Sequence, residues 1–310
     1  MEKKKKQHVY GPVPSRRLGR SLGLDLVPYK VCTYDCVYCQ LGRTTQKTTE
    51  RKEWVPTKEI VAQLKDRLDA KPDYITLSGS GEPTLHAGLQ HLIHEIKNMT
   101  DIPVAVITNG SLLWLPEVRD SLLDADLVVP SLDVDSEDMF KYVNRPAPEI
   151  RFDQMVTGLC EFRQMFRGQY WLEVLLLSGV TTVEARVKAL SDCIRTIGPD
   201  KVQVNTVVRP PLEAYAMPVP RGQLEEIAAR LYPGAESILP CEHAGDMERS
   251  GASRDEILDL LRRRPCSIAD VATGLRLHPH EVAKCIGLLV SAQSVRVKEQ
   301  NGTLYYEAIL

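Results

Sequence analysis

The chain lacks a long apolar run, a strong net charge and a disulfide framework, and each absence excludes something. No stretch of its 310 residues approaches the roughly twenty apolar residues that a membrane span needs. Lysine and arginine number 39 against 41 aspartates and glutamates, a formal net charge of -2, which argues against a general polyanion binder. Met1 to Lys6 is a lysine run with no apolar segment behind it, unlike a secretory signal, and residues 1–9 are expected to form a disordered basic tail. Cysteines 160, 193, 241, 266 and 285 are scattered without a framework, as in a reducing cytoplasm. What remains is an ordinary globular composition, 43% hydrophobic, with room for two domains.

Three cysteines are not scattered. Cys32, Cys36 and Cys39 stand in the spacing C-x3-C-x2-C, with Tyr38 directly before the last. No fourth cysteine follows at that spacing; the next is Cys160. Three thiolates in so short a loop can hold three irons of a four-iron, four-sulfur cluster, leaving one iron open to a small molecule. Zinc is the rival reading, but zinc sites usually show four ligands, often as two C-x2-C knuckles, and half of that pattern is here. Disulfides suit small secreted chains.

Around this loop the chain alternates. Ser21 to Pro28 reads as a first strand, with Leu22, Leu24 and Leu26 alternating, after an irregular Gly-, Pro- and Arg-rich loop from Tyr10 to Arg20. Further strands are expected at 74–77, 104–108, 127–132, 170–177 and 202–208. Between them, apolar residues at helical spacing mark helices, for example Ile60, Val61, Leu64 and Leu68. Alternation of this kind implies an α/β fold with a parallel sheet, here a partial (β/α)6 TIM-like barrel over residues 1–240. In such barrels the site lies at the C-terminal ends of the strands.

Polar and small residues cluster at those ends. The second strand ends in Ser78-Gly79-Ser80-Gly81-Glu82-Pro83-Thr84, where small residues admit a ligand close to the backbone. Asn109, Ser131, Asp133, Ser178 and Gly179 follow the next three strands. Asn109 and Asp133 also fit the role of turn residues that satisfy local backbone. Glu173 would be costly in the core unless paired, so it is expected to face the cavity. Gln203 and Asn205 share one side of the last strand, and Arg209 at its exit is a candidate for holding an anion. Arg16 and Arg17 can bind phosphate or carboxylate in a fork, or serve as internal ion pairs.

The Val31–Cys39 loop resembles the cluster motif of the radical S-adenosylmethionine (radical SAM) enzymes, and Ser-Gly-Ser-Gly-Glu-Pro-Thr resembles that family's Gly-Gly-Glu-Pro segment, with Ser80 in place of the first glycine. The resemblance implies a [4Fe-4S] cluster on Cys32, Cys36 and Cys39, with SAM chelating the open iron. It implies reductive cleavage of SAM to a 5'-deoxyadenosyl radical, driven by a reductant such as flavodoxin or ferredoxin. By the same resemblance Gly79, Ser80, Gly81 and Glu82 would orient the methionyl ammonium. Asn109, Ser131 and Asp133 would meet the carboxylate and ribose, and Ser178 and Gly179 the adenine, with Tyr38 as a stacking face. Over residues 8 to 240 the chain is similar to a branch of radical SAM proteins related to the wybutosine-synthesising tRNA enzyme. That enzyme builds a second cluster from an N-terminal cysteine trio. This chain has no cysteine before Cys32, so a second cluster is not expected.

Residues 241–252 read as a linker, with Cys241 and His243 close together. Residues 253–310 read as a small winged helix-turn-helix domain: helices capped by Ser253 and Ser267 and opened by Pro279, then a hairpin at Asn301-Gly302. Its charges are nearly balanced, thin for phosphate binding. The expected function is a cytoplasmic radical SAM oxidoreductase acting on a nucleoside, RNA base or related anionic substrate, with Arg16, Arg17, Glu173, Gln203, Asn205, Arg209 and Cys241 as substrate candidates. Modification of a peptide gripped by the winged helix, and a redox-sensing DNA-binding regulator, are the other readings.

Overall fold

The chain enters its fold as a hairpin. In the computed structural model, which describes residues 7–239, 254–275, 277–300 and 302–309, β1 (Val9–Ser15) pairs antiparallel with β2 (Gly19–Leu24). The expected loop from Tyr10 to Arg20 is thus largely a strand pair. Its prolines are compatible with this because β1 is an edge strand, where a missing N–H removes no ladder bond. Two residues of the expected tail, His8 and Val9, are packed into the fold. His8 is 6% exposed and its amide donates to Gln63 Oε1 at 2.8 Å.

After the short parallel pair β3 (Val31–Cys32) and β4 (Gln46–Lys47) come β5 (Tyr74–Leu77), β6 (Val104–Thr108), β7 (Leu127–Pro130), β8 (Gln169–Leu176), β9 (Lys201–Thr206) and β10 (Glu236–Ser237). The main sheet runs β1-β2-β5-β6-β7-β8-β9-β10, parallel from β2 onward. Six of these strands are the expected units. The seventh parallel strand, β10, is two polar residues long and has no apolar pattern to mark it in the sequence. Strands such as Val104-Ala105-Val106 are apolar throughout because helices cover the sheet.

The crossover helices bury the faces their spacing marks out. Helix Thr57–Lys65 buries Ile60, Val61 and Leu64; helix Leu89–Met99 buries Leu89, Leu92, Ile93 and Ile96. Helix Phe152–Met165 packs Met155, Leu159 and Phe162, and helix Glu184–Ile197 packs Val187, Leu190, Ile194 and Ile197. Each such side chain contributes about 1.5–3 kcal/mol by leaving water. Gly198, at φ +66°, ends the last of these in the left-handed conformation that terminates helices.

The sheet curls. Arg16, in the turn between β1 and β2, donates to Asn205 Oδ1 on β9 at 3.1 Å and to the Ile238 carbonyl after β10 at 2.6 Å. Arg17 pairs with Glu173 on β8 at 2.8 Å. Residues at one end of the strand order therefore touch residues at the other, although no ladder joins β1 to β10 among the described residues. The result is an unclosed barrel whose interior holds a polar network.

Residues 254–309 add three helices, Arg254–Arg263, Ile268–Leu275 and Pro279–Ser291, and the antiparallel pair β11 (Val295–Gln300) and β12 (Thr303–Ala308). Ser267 and Asp270 cap reciprocally: the Asp270 amide donates to Ser267 Oγ at 3.1 Å and the Ser267 amide to Asp270 Oδ2 at 3.0 Å. Ile257, Leu261, Val271, Val282 and Ile286 form a separate small core, and Val13 of β1 packs against it. The module lies across the barrel's seam: Arg263 pairs with Asp25 and stacks over Tyr10, Asp270 pairs with Arg209, and Tyr305 Oη donates to the Val208 carbonyl at 2.6 Å. The expected linker, Cys241 and the Ser253 cap lie outside the described residues. No helix among the described residues is long and apolar enough to cross a membrane.

Candidate functional site

The cysteine loop leaves β2 and is pinned by its own non-cysteine residues. Tyr34 and Val37 are buried, and the Tyr34 ring meets Phe140 edge-on at 5.2 Å. The Val37 amide donates to the Val143 carbonyl at 2.9 Å, and the Cys39 amide to the Cys36 carbonyl at 3.1 Å. With those groups turned inward, Cys32, Cys36 and Cys39 remain partly accessible free thiols.

Each of the three sulfurs has a different nitrogen donor aimed at it. Asn109 Nδ2 faces Cys32 Sγ at 3.7 Å, Asn144 Nδ2 faces Cys36 Sγ at 3.7 Å, and Lys30 Nζ faces Cys39 Sγ at 3.0 Å. Donors of this kind stabilise thiolates and tune a cluster they ligate. Burial, followed by the charge of Glu82, pushes the Cys32 thiol up to about 11. Burial and the two neighbouring cysteines also hold Cys36 well above the usual thiol range. Burial opposes the charge on Lys30, yet the cysteines, Cys39 foremost, leave its pKa raised. Burial thus disfavours the thiolates of Cys32 and Cys36, and the surrounding donors suit the ionised sulfurs that a bound cluster would require. Among the described residues no three His, Cys, Asp or Glu side chains converge on a single-ion position. Three sulfurs that each bind a separate iron need no such convergence, so the donor set fits a four-iron cluster on three thiolates.

The Ser78–Thr84 segment lies directly on this loop. The Lys30 amide donates to the Ser80 carbonyl at 2.6 Å and the Glu82 amide to the Val31 carbonyl at 3.1 Å. A side chain on Gly81 would overlap that Val31 carbonyl, and one on Gly79, at φ +139°, would overlap the Asp25 carboxylate. Asp25 Oδ1 accepts the Ser80 amide at 2.9 Å. Glu82 is 2% exposed and fully engaged: it accepts from Thr84, from Thr108 Oγ1 at 2.6 Å and from the Asn109 amide at 2.8 Å. Burial raises its pKa, with those hydrogen bonds opposing.

Asp133 is the hub at the next strand end. Its Oδ2 accepts from Tyr38 Oη and from Asn144 Nδ2, the latter at 2.9 Å, and its Oδ1 accepts the Leu175 amide at 3.0 Å. Burial raises its pKa against these bonds. Asn144 ends a π-helical turn, Phe140–Asn144, a rare element that recurs at functional sites. Ser131 bridges Glu173 on the neighbouring strand. Ser178 and Gly179 follow β8, their amides bound to the Met217 carbonyl at 3.0 Å and to Thr182 Oγ1 at 3.0 Å.

The structure thus brings Cys32, Cys36, Cys39, Tyr38, Asn109 and Asp133 into one network, with Gly79 to Glu82 against it. The substrate candidates form a second network in the barrel. Arg17 and Glu173 are paired, and Glu173 also accepts from Asn205 Nδ2 at 3.0 Å. Burial pushes Glu173 up, but Arg17 outweighs it and brings the carboxyl to about 2. Arg209 Nη1 reaches Gln40 Oε1 at 3.4 Å, one residue beyond Cys39. Gln203 Oε1 is buried without a partner. By contrast, a groove at the opposite end of the strands includes the pairs Lys97–Asp126 and Arg163–Asp200 in its lining.

Four residues that matter here carried no sequence signal of their own: Asp25, Lys30, Gln40 and Asn144. Lys30 and Gln40 flank the cysteine motif directly and Asp25 precedes it by seven residues, where nothing in the spacing sets them apart. Asn144 is 108 positions from the sulfur it faces.

The Radical SAM superfamily profile matches residues 26–190. A Brachyspira hyodysenteriae protein named GTPase Obg is 38% identical over 309 residues, 98% of this chain and 45% of its own length. This chain therefore spans less than half of that relative. A UPF0026 protein of Helicobacter pylori is 30% identical over 307 residues, 96% of each chain. Among solved structures, Streptococcus suis SuiB bound to S-adenosylmethionine aligns with a TM-score of 0.52 at 15% identity, over 72% of this chain and 52% of that one, a likeness of fold.

Proposed function

This chain belongs to the radical SAM superfamily, and on that premise we propose that it is an iron–sulfur enzyme that activates SAM and acts on a nucleoside, RNA base or related anionic substrate. Its cofactors are a [4Fe-4S] cluster and SAM. When bound and reduced, they supply a 5'-deoxyadenosyl radical and methionine from SAM and one electron. A low-potential donor such as flavodoxin or ferredoxin would deliver that electron.

The protein's own part is holding, orienting and excluding water. Cys32, Cys36 and Cys39 would hold three irons, and Asn109, Asn144 and Lys30 would keep their sulfurs ionised. Gly79, Ser80 and Gly81 keep backbone close to the cluster loop, where the methionyl end of SAM would lie, with Glu82 bracing them from behind. Tyr38, Asn109, Ser131, Asp133, Ser178 and Gly179 line the route the rest of SAM would follow. Arg17, Glu173, Gln203 and Asn205 lie within the barrel and Arg16 and Arg209 stand at its seam, so together they would border the substrate. The three helices and hairpin of residues 254–309 fit a winged helix-turn-helix. Because the module rests on the seam of the barrel, we read it as a cover over the substrate side rather than as a nucleic-acid reader. The relation to the wybutosine-synthesising tRNA enzyme belongs to the same proposal.

The observation that carries the reading is the one-donor-per-sulfur arrangement over three cysteines of one loop. The test is anaerobic reconstitution with iron and sulfide, then reduction in the presence of SAM, reading 5'-deoxyadenosine. Cys32→Ala, Cys36→Ala and Cys39→Ala are each expected to abolish the cluster and the product. SAM cleavage retained by any one of them overturns the ligand assignment.

A further inference from the structure

Four guanidiniums and two carboxylates meet where the barrel's seam lies under the C-terminal module. Arg17 is paired with Glu173, and Arg209 with Asp270 at 3.3 Å. Among the described residues Arg16 has only neutral hydrogen-bond partners, Asn205 Oδ1 and the Ile238 carbonyl, and Arg264 makes no ion pair. Among the described residues two positive charges are thus in excess. Arg264 stands on the module between Arg263, which is fixed on Asp25 and Tyr10, and Asp270, which pairs with Arg209, so its charge belongs to the same seam; in keeping with this it raises the cost of charge on both Arg16 and Arg209.

The donors of this cluster are under-used. A guanidinium carries five N–H groups. Arg16 uses one terminal nitrogen. Arg209 reaches Gln40 at 3.4 Å and Asp270 at 3.3 Å, long for charge-assisted bonds, and its Nε is buried with no partner. Arg16 keeps more than a third of its surface open to solvent, yet burial, with Arg209 next, lowers its pKa to about 10. On the adjoining strand Gln203 Oε1 is 2% exposed at the residue level and lacks a donor.

We propose that this seam is a binding site for a phosphomonoester dianion, held by Arg16 and Arg209 of the barrel and by Arg264 of the C-terminal module. Two unmatched cations call for a ligand with two negative charges. A phosphomonoester carries about that charge at neutral pH, whereas a carboxylate or an internal nucleic-acid phosphodiester carries one. Forked donors match phosphate geometry. The orphan acceptor of Gln203 asks for a hydroxyl or amino donor on the same ligand. The class that meets both demands is a small phosphorylated, hydroxyl-bearing molecule such as a nucleoside 5'-monophosphate. Arg209 sets its phosphate one residue from the cluster loop, through Gln40. This deepens the proposed function and rests on its placement of the substrate inside the barrel.

The test is equilibrium titration of the cluster-loaded protein at constant ionic strength with inorganic phosphate, uridine 5'-monophosphate, uridine, acetate and a short oligonucleotide lacking terminal phosphates. Phosphate and the nucleotide are expected to bind once per chain, the nucleotide tighter, while acetate, uridine and the oligonucleotide fail to displace them. Arg264→Ala and Arg16→Ala should each weaken phosphate about tenfold, the scale of one charge-assisted contact. Arg264→Lys should recover part of that loss, and Arg262→Ala, an exposed neighbour paired with Asp259, should change nothing. Unchanged affinity in a folded Arg264→Ala protein overturns the proposal, as does equal competition by acetate or by the oligonucleotide. SAM cleavage measured alongside keeps the two readings apart: cleavage without phosphate binding sinks this site alone, and phosphate binding without cleavage sinks the enzyme assignment alone.

Discussion

Asp25 and Arg263 form a partly buried ion pair across the boundary between the barrel and the C-terminal module, while Asp25 Oδ1 accepts the Ser80 amide at 2.9 Å. One carboxylate therefore joins the module to the segment proposed to hold the methionyl end of SAM. Arg263 is fixed in turn by stacking on Tyr10, 3.9 Å from the ring centroid. Arg263→Ala is expected to leave the cluster intact and to weaken SAM binding about three- to tenfold, because Asp25 loses the partner that orients it. Equilibrium binding of SAM to the reconstituted protein reads this. Unaltered affinity would show that the contact serves docking alone.

Lys30 sits where its charge acts on the cluster ligands, Nζ being 3.0 Å from Cys39 Sγ. A cation beside a cluster favours the reduced, more negative form. Lys30→Met should lower the reduction potential by roughly tens of millivolts, the direction expected when positive charge near a cluster is removed. A redox titration followed by electron paramagnetic resonance gives the value, and a rise in potential would contradict the placement.

Asn144 braces Cys36 and Asp133 together. Asn144→Ala removes a donor from each. Partners of this kind typically alter metal affinity by about 10- to 100-fold. The variant should therefore lose iron to a chelator on the order of ten times faster than the wild type. Loss at the wild-type rate would reduce Asn144 to a packing residue.

Glu173 gives a pH prediction with a definite sign. Its carboxyl falls from an ordinary 4.5 to about 2 in the folded protein, burial opposing and Arg17 prevailing. A depressed carboxylate stabilises the fold fully above its unfolded pKa and loses that contribution as pH falls toward the folded value. The stability difference between wild type and Glu173→Gln should be constant above about pH 5 and shrink between 4.5 and 2. Denaturation curves across that range check it, and a difference that grows with acid would reverse the assignment.

The features legible in the sequence were those encoded locally. Cysteine spacing, the Ser78–Thr84 run and the 3.6-residue rhythm of helices such as Leu89–Met99 each need only a short window. Ser267 with Asp270 was half seen: the cap was expected, its return bond from Asp270 was not. What escaped was set by tertiary position. Gly11, Pro12 and Pro14 look like a loop unless β1 is known to be an edge strand. The need of Glu173 for a partner was evident from the price of burying a charge, but which of two adjacent arginines reached it depended on the curl of the sheet. Asp25 and Arg263 lie 238 positions apart and meet because the module folds back over the seam.

An unclosed sheet ordinarily presents two rims on which a stray strand from another molecule can add itself, the usual first step toward aggregation. Here one rim is β10, two residues long and too brief to template anything, and the other, β1, is interrupted by prolines and packed by Val13 against the helical module. The gap in the wall can thus stay open to a small solute while remaining a poor landing place for foreign backbone.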